Sequence, residues 1–146
     1  GRAEVMDAAH VGGLGSTYGG NLVALAAALA VFGAMEREAI VARGAKLGER
    51  LKRRLCALAE RFPTIGDVRG LGAMVAVELV ADRATKAPAK ELAAKVQAAA
   101  LKRGLILLTA GTYGNVIRVL VPLTAEDAVV DEGLDVLEQA LGEVAA

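Results

Sequence analysis

Residues 105–123 read LILLTAGTYGNVIRVLVPL and predict a β-hairpin near the C-terminus. Two runs rich in β-branched and large apolar residues, Leu105–Thr109 and Val116–Val121, have the length of short strands. Between them lies AGTYGN, a turn-forming segment with two glycines and with Tyr113 at its tip. The predicted hairpin therefore has a loop longer than two residues.

Outward from the hairpin, the sequence predicts one more strand and two helices. Residues 67–80 alternate apolar and other side chains with the period of a strand that has unequal faces, and Gly70 and Gly72 are expected to kink its start. The helices carry stripes at helical spacing, Leu92, Val96 and Ala99 before Gly104, and Val130, Leu134, Leu137 and Leu141 near the end. Because each helix has one stripe to bury, this β-α-β-β-α order predicts an α/β (α+β) fold with a three-stranded antiparallel sheet and helices on one face.

The N-terminal third predicts a glycine-rich loop and two helices. The loop VGGLGSTYGG at residues 11–20 precedes an Ala-rich helix from Asn21, a favoured N-cap residue, to about Ala34. Its apolar run is shorter than the roughly 20 residues that span a bilayer, so we interpret it as a buried helix. The second helix ends before Pro63 and has an apolar stripe at Ile40, Gly44, Leu47, Leu51, Leu55, Leu58 and Phe62.

Composition excludes several classes of protein. The 146 residues contain 17 Lys and Arg against 17 Asp and Glu, so no basic surplus favours a nucleic acid or an anionic membrane as partner. The hydrophobic share of 55% predicts a buried core. A single cysteine and the lack of a visible targeting signal make the cytoplasm the expected compartment.

Arg118 is the most informative single residue. It lies inside NVIRVLVPL, a run that otherwise has the pattern of a buried strand, where a guanidinium must find an anion or reach an edge. The structural alternatives are an edge-strand arginine that reaches solvent, or a pair with Glu78 across the sheet. Arg69 lies in a turn-like segment and is expected to pair with Asp67 or with a helix C-terminus.

The glycine-rich loop has the layout of an anion site, although it matches neither the dinucleotide nor the nucleotide-triphosphate motif. The hydroxyls of Ser16 and Thr17 precede a helix N-terminus, where phosphate groups bind favourably. The alternative is a packed turn with no ligand.

The remaining reactive side chains predict no catalytic or metal site. His10 has no partner at metal-ligand spacing, and Cys56 is interpreted as a packing residue because no histidine lies within helical reach. Ser16 lacks the nucleophile-elbow motif of serine hydrolases. From its own residues the chain offers no catalytic constellation.

Three segments together resemble a known family. HVGGLGSTYGGN (10–21), IGDVRGLGAMVAVEL (65–79) and KRGLILLTAGTYGNVIRVLVPLTAED (102–127) are similar to the C-terminal third of the class III pyridoxal-phosphate aminotransferases, most of all the 4-aminobutyrate aminotransferases. The third segment, with LLTAGTYGNVIR and VPLT, favours 4-aminobutyrate over ornithine as donor. Leu22 and Ser16 depart from the family pattern, which has Pro and Gly there.

The resemblance implies a role for three residues and a cofactor. Thr17, with the backbone at Ser16, would bind the phosphate of pyridoxal 5'-phosphate held in the neighbouring subunit of a homodimer or a dimer of dimers. Arg118 would bind the carboxylate of the amino-acid or 2-oxo-acid substrate, a task that suits a planar guanidinium. The family's Schiff-base lysine, pyridine-binding aspartate and stacking aromatic are all expected upstream of Gly1, so no catalytic residue is assigned in this chain.

The resemblance also implies a domain division and an activity. Residues 1–34 are expected to end the large cofactor-binding domain of a fold-type I transferase, and residues 35–146 to form a linking helix and the small domain. The full-length protein would transfer an amino group from 4-aminobutyrate or a similar ω-amino acid to 2-oxoglutarate, and this chain alone would be inactive. The alternative is a free-standing, non-catalytic α/β module for ligand binding or oligomerisation.

Overall fold

The structure is a computed structural model, and it describes residues 1–144. The chain divides into two compact units, one formed by Gly1–Glu38 and the other beginning at Ala39.

The first unit contains two helices and the glycine-rich loop. Helix α1 spans Ala3–Met6 and helix α2 spans Leu22–Arg37. Asn21 caps α2 as predicted, because its side-chain oxygen accepts a hydrogen bond of 3.0 Å from the Ala24 backbone N–H. The prediction that this helix is buried is wrong for the chain as it stands, since none of its residues is buried.

The second unit contains three helices and five strands. Its helices are α3 (Ile40–Arg61), α4 (Lys90–Lys102) and α5 (Asp127–Val144), and its strands are β1 (Ile65–Leu71), β2 (Met74–Asp82), β3 (Ala87–Pro88), β4 (Leu108–Ala110) and β5 (Val116–Leu120). The main strands lie in the order β1-β2-β5-β4, every neighbouring pair is antiparallel, and β3 pairs with the end of β2. The predicted α/β class and antiparallel sheet are confirmed.

The predicted number of three strands is wrong, because residues 67–80 form parts of two strands. Leu71 pairs with Met74, so Gly72 and Ala73 reverse the chain between β1 and β2. Gly72 has a φ of +52°, a backbone conformation that glycine adopts without steric cost. A glycine that was expected to kink one strand therefore makes a hairpin.

Strand β4 begins three residues later than predicted because the preceding residues bond to α4. The Leu105 backbone N–H donates to the Ala100 carbonyl, which closes the helix C-terminus after Gly104 at φ +86°. The Leu107 carbonyl then accepts a 2.7 Å hydrogen bond from the Gln97 side chain. Only Leu108–Ala110 pair with β5.

The core lies on one face of this sheet. Val75, Val77 and Leu79 of β2 and Ile117 and Val119 of β5 join the buried stripes of all three helices in one cluster, as the alternation predicted. The opposite face, which we call the outer face, carries exposed apolar side chains at Leu71, Met74, Leu108 and Leu120.

Helix α3 lies close to the β1–β2 turn through Gly48. A Cβ atom at this position would lie 2.0 Å from the Gly72 carbonyl oxygen, so only glycine fits. The stripe predicted for α3 is confirmed at Gly44, Leu47, Leu51, Leu55 and Leu58, all buried.

Arginines connect α3 to α5 along the surface of the second unit. Arg50 bonds to Asp127 and Asp131, and Arg54 bonds to Asp135 at 2.6 Å. None of the helices in residues 1–144 is long and apolar enough to cross a membrane.

Candidate functional site

Arg118 projects from the middle of the outer face. Its neighbours along β5, Ile117 and Val119, are buried, while Arg118 itself is exposed. Its cross-strand partners are Ala76 on β2 and Leu108 on β4, so β5 is an interior strand at this point. The apolar pattern of this run therefore indicates burial correctly for only one face of β5, the face that carries Ile117 and Val119.

The structure contradicts both structural alternatives for Arg118. It does not lie on an edge strand, and within residues 1–144 its guanidinium takes part in no hydrogen bond or ion pair. The carboxylate of Glu78 bonds instead to Arg69. An exposed guanidinium on a rigid strand is thus free to bind an external anion.

Arg69 forms a cluster with two carboxylates on the outer face. Its Nη1 atom donates to Asp67 Oδ2 at 2.7 Å and to Glu78 Oε2 at 2.5 Å. Both hydrogen bonds raise the pKa of the Arg69 guanidinium above its ordinary value, and the bond to Asp67 has the larger effect. The predicted pairing of Arg69 with Asp67 is confirmed, and the bond to Glu78 was not foreseen.

Asn115 fixes the start of the strand that carries Arg118. It is the one buried polar or charged residue among those described, at 2% exposure. Its Nδ2 atom donates to the Leu79 carbonyl at 2.8 Å, and its own carbonyl accepts from the Leu79 N–H at 2.8 Å. These two hydrogen bonds to Leu79 hold β5 in register with β2. Sequence reasoning missed Asn115, and its place between Gly114 and a β-rich run was the only signal.

An apolar cavity adjoins Arg118. It has a volume of ≈ 390 Å³ and is lined almost entirely by aliphatic side chains, among them Leu108, Leu120 and Leu134. Once a ligand covers the guanidinium, an apolar wall beside it keeps water out and strengthens the attraction between guanidinium and carboxylate.

The glycine-rich loop presents two hydroxyls beside the N-terminus of α2. Ser16 Oγ accepts a 3.2 Å hydrogen bond from the Tyr18 N–H, which leaves the Ser16 hydroxyl proton available to a ligand. Thr17 is exposed. Gly12 and Gly20 have φ values of +78° and +77°, so the loop uses conformations that other residues rarely adopt. The loop fits a phosphate group, since it offers hydroxyl donors and a helix N-terminus.

The other reactive side chains, His10 and Cys56, are both exposed. No group of three or more His, Cys, Asp or Glu residues is placed to hold a metal ion within residues 1–144. The interpretation of Cys56 as a packing residue is wrong, because it lies off the apolar stripe of α3 and is exposed.

Comparisons with known proteins identify the family of this chain. The family described as Aminotransferase class-III matches residues 1–141. The chain is 51% identical over 145 residues to the 5-aminovalerate aminotransferase DavT of Pseudomonas putida, covering 99% of this chain and 34% of that protein. It is also 51% identical over 143 residues to the 4-aminobutyrate aminotransferase GabT of Escherichia coli, covering 98% of this chain and 34% of that protein.

A solved structure is similar as well. The PLP-bound form of an amine transaminase from an uncultivated Pseudomonas species aligns with a TM-score of 0.80 and 33% identity, over 90% of this chain and 30% of that one. The chain spans about a third of the length of the curated relatives it matches. The family match over nearly every residue, together with identities of about half, shows that this chain belongs to the class III aminotransferases, a family that implies pyridoxal phosphate as cofactor.

Proposed function

We propose that this chain is the C-terminal part of a pyridoxal-phosphate-dependent transaminase. The full-length enzyme moves the amino group of 4-aminobutyrate, or of a similar ω-amino acid, to 2-oxoglutarate and gives succinate semialdehyde and glutamate. The observation that carries this proposal is the free guanidinium of Arg118, held on an interior strand beside an apolar cavity.

Arg118 would anchor the substrate carboxylate. Its planar fork donates two parallel hydrogen bonds to a carboxylate, which fixes the orientation of the substrate as well as its position. The bonds between Asn115 and Leu79 hold the strand that carries this fork. Orientation of this kind lowers the barrier by removing the entropy loss from the reacting step.

Thr17 and Ser16 would hold the cofactor phosphate. The Thr17 hydroxyl donates a hydrogen bond to a phosphate oxygen, and Ser16 adds its backbone and its free hydroxyl proton. The bound cofactor supplies the electron sink for amino-group transfer. This chain contributes binding and orientation, and no residue of it is assigned to proton transfer.

Family membership and the names of two curated relatives support an ω-amino acid as the amino donor. Those relatives are named for 4-aminobutyrate and 5-aminovalerate, substrates that differ by one methylene. One methylene changes binding in an apolar site by only about 1–3 kcal/mol, so an enzyme with either preference accepts both to some degree. We take 4-aminobutyrate as the proposed donor because of the segment LLTAGTYGNVIR.

Further parts of the proposal concern assembly and location. Residues 1–34 belong to the large domain and residues 35–146 to a linking helix and the small domain of a homodimer or a dimer of dimers. The compartment is the cytoplasm, and the chain alone has no transaminase activity. The family match favours this proposal over a free-standing binding module.

The substitution Arg118→Lys in the full-length enzyme tests the anchor. Lysine keeps the charge but loses the planar fork, so KM for both 4-aminobutyrate and 2-oxoglutarate should rise about tenfold, the effect of roughly 1.4 kcal/mol lost from a charged hydrogen bond. The thermal midpoint should stay near the parent value because the side chain is exposed.

An amine donor without a carboxylate provides the control. Its slow half-reaction with the cofactor, measured without 2-oxoglutarate, should be nearly the same in both proteins, because the anchor then has no carboxylate to hold. A lower unfolding midpoint with unchanged KM values would show that Arg118 is a structural residue and would refute the anchor.

A further inference from the structure

Glu78 lies between two arginines on the outer face. Arg69 on β1 and Arg118 on β5 are both cross-strand partners of Ala76, one on either side of β2. Glu78 follows Ala76 by two residues, so it projects from the same face and is diagonal to both arginines. Diagonal neighbours in a sheet are about 7–8 Å apart, which long side chains span.

The structure shows which arginine Glu78 takes. Its Oε2 atom is 2.5 Å from Arg69 Nη1, and Arg69 also holds Asp67 at 2.7 Å. Asp67 is the direct cross-strand partner of Glu78, so Arg69 relieves the repulsion between two carboxylates that face each other. One guanidinium thus satisfies two acids, and Arg118 is left unpaired within residues 1–144.

Glu78 would compete with the substrate if it were released. A carboxylate tethered at diagonal distance has a high effective concentration beside Arg118, and it offers the same two oxygens as a substrate carboxylate. The Glu78 side chain is only 28% exposed, so water satisfies a released carboxylate less fully than in bulk.

We propose that Arg69 is a positioning residue that keeps the substrate anchor Arg118 available by holding Glu78 away from it. This inference rests on the proposed function of Arg118 as a carboxylate anchor. The Arg69–Glu78 pair therefore affects substrate affinity in addition to stabilising the β1–β2 hairpin.

The test is a set of variants of the full-length enzyme. In Arg69→Gln, KM for 2-oxoglutarate and the inhibition constant of unreactive glutarate should both rise about tenfold, with kcat near the parent value. In Arg69→Gln/Glu78→Gln, both constants should return to within about twofold of the parent, because the competing carboxylate is gone. The thermal midpoint should be lowered in both variants, so stability and affinity separate.

A matched variant distinguishes direct competition from a general change in charge. Arg69→Gln/Asp67→Asn restores the same net charge as the first double variant but leaves Glu78 free, so the constants should stay raised. Equal rescue by both double variants, or no change in Arg69→Gln, would overturn the proposal.

Failure of the proposed function itself would be recognised separately. Glutarate affinity that does not change in Arg118→Gln would show that Arg118 is no anchor. Weaker glutarate binding in Arg118→Gln, combined with an Arg69→Gln variant that Glu78→Gln does not rescue, would overturn only the role of Arg69.

Discussion

Helices α2 and α3 follow each other in the chain, and they differ in how their apolar residues are used. Helix α2 is the more apolar of the two, yet none of its residues is buried, and Leu29 keeps 71% of its surface in contact with solvent. Helix α3 alternates charged residues with a narrow apolar stripe, and Leu51 in that stripe is 0% exposed.

The difference shows that burial depends on a partner surface as much as on apolar content. The stripe of α3 faces a sheet whose inner residues match it within the same unit. Helix α2 is apolar on all sides, a pattern typical of helices in the interior of larger proteins. The first unit does not supply such an interior, and the chain spans about a third of the length of the curated relatives it matches.

The comparison predicts very different costs for one substitution at two leucines. In the 146-residue chain, Leu51→Ala should lower the free energy of unfolding by about 2–5 kcal/mol, because it leaves a cavity in a packed core. Leu29→Ala should change it by less than about 0.5 kcal/mol. Urea unfolding of the two variants measures both values.

The same two substitutions can be measured in the full-length enzyme. There Leu29→Ala should cost more than it does in the short chain, because other parts of the protein would cover α2. Equal and large costs for Leu29→Ala and Leu51→Ala in the short chain would contradict the description of the first unit.

A second prediction concerns the different ligands proposed for the two units, pyridoxal phosphate for the first and 2-oxoglutarate for the second. In the full-length enzyme, Thr17→Val removes a hydroxyl donor without changing the shape of the side chain, so the affinity for pyridoxal phosphate should fall by about 1.5–3 kcal/mol. KM for 2-oxoglutarate measured at saturating cofactor should not change, because its proposed anchor Arg118 belongs to the second unit.

Thr17→Ser is the matched control, since it keeps the hydroxyl and should retain most of the affinity. Cofactor dissociation followed by absorbance measures both variants. If Thr17→Val releases the cofactor no faster than the parent, then Thr17 is only a turn residue and the phosphate is held elsewhere.

The sequence was sufficient for features that depend on local periodicity. The β4–β5 hairpin, the stripe of α3 and the N-cap Asn21 all follow from residues close together in the chain, and all are found. The turn at Gly72 was missed because a glycine inside an alternating pattern is compatible with either a kink or a hairpin.

The outer face could not be foreseen because it depends on strand order. Whether Arg118 is buried or exposed follows from the face of β5 that the helices cover, and residues 116–121 are apolar on both sides of it. The pairing of Glu78 with Arg69 rather than Arg118 likewise depends on the register of β1 with β2. The roles of Ser16, Thr17 and Arg118 stay predictions from the family resemblance.

The last and smallest predicted effect concerns pH, and it belongs to the second unit. All ion pairs among residues 1–144 lie between residues 43 and 143, and Arg50 lowers the pKa of the Asp131 carboxyl through a hydrogen bond. A carboxyl whose pKa is lower in the folded state stabilises the fold above its unfolded-state pKa. That contribution is lost as the pH falls below about 5 and passes through the pKa of the Asp131 carboxyl in the folded state.

Asp131→Asn should therefore flatten the decline of the thermal midpoint of the 146-residue chain at acidic pH, and the variant should approach the parent at the acidic end, where Asp131 of the folded parent is protonated. The effect should be small, because Arg50 and Asp131 are each 34% exposed and salt screens such pairs. Glu126→Gln, which removes an exposed carboxylate that forms no ion pair within residues 1–144, should leave the pH profile of the parent unchanged. Identical profiles for Asp131→Asn and Glu126→Gln would show that the arginine pairs between α3 and α5 contribute no pH dependence to the stability of the second unit.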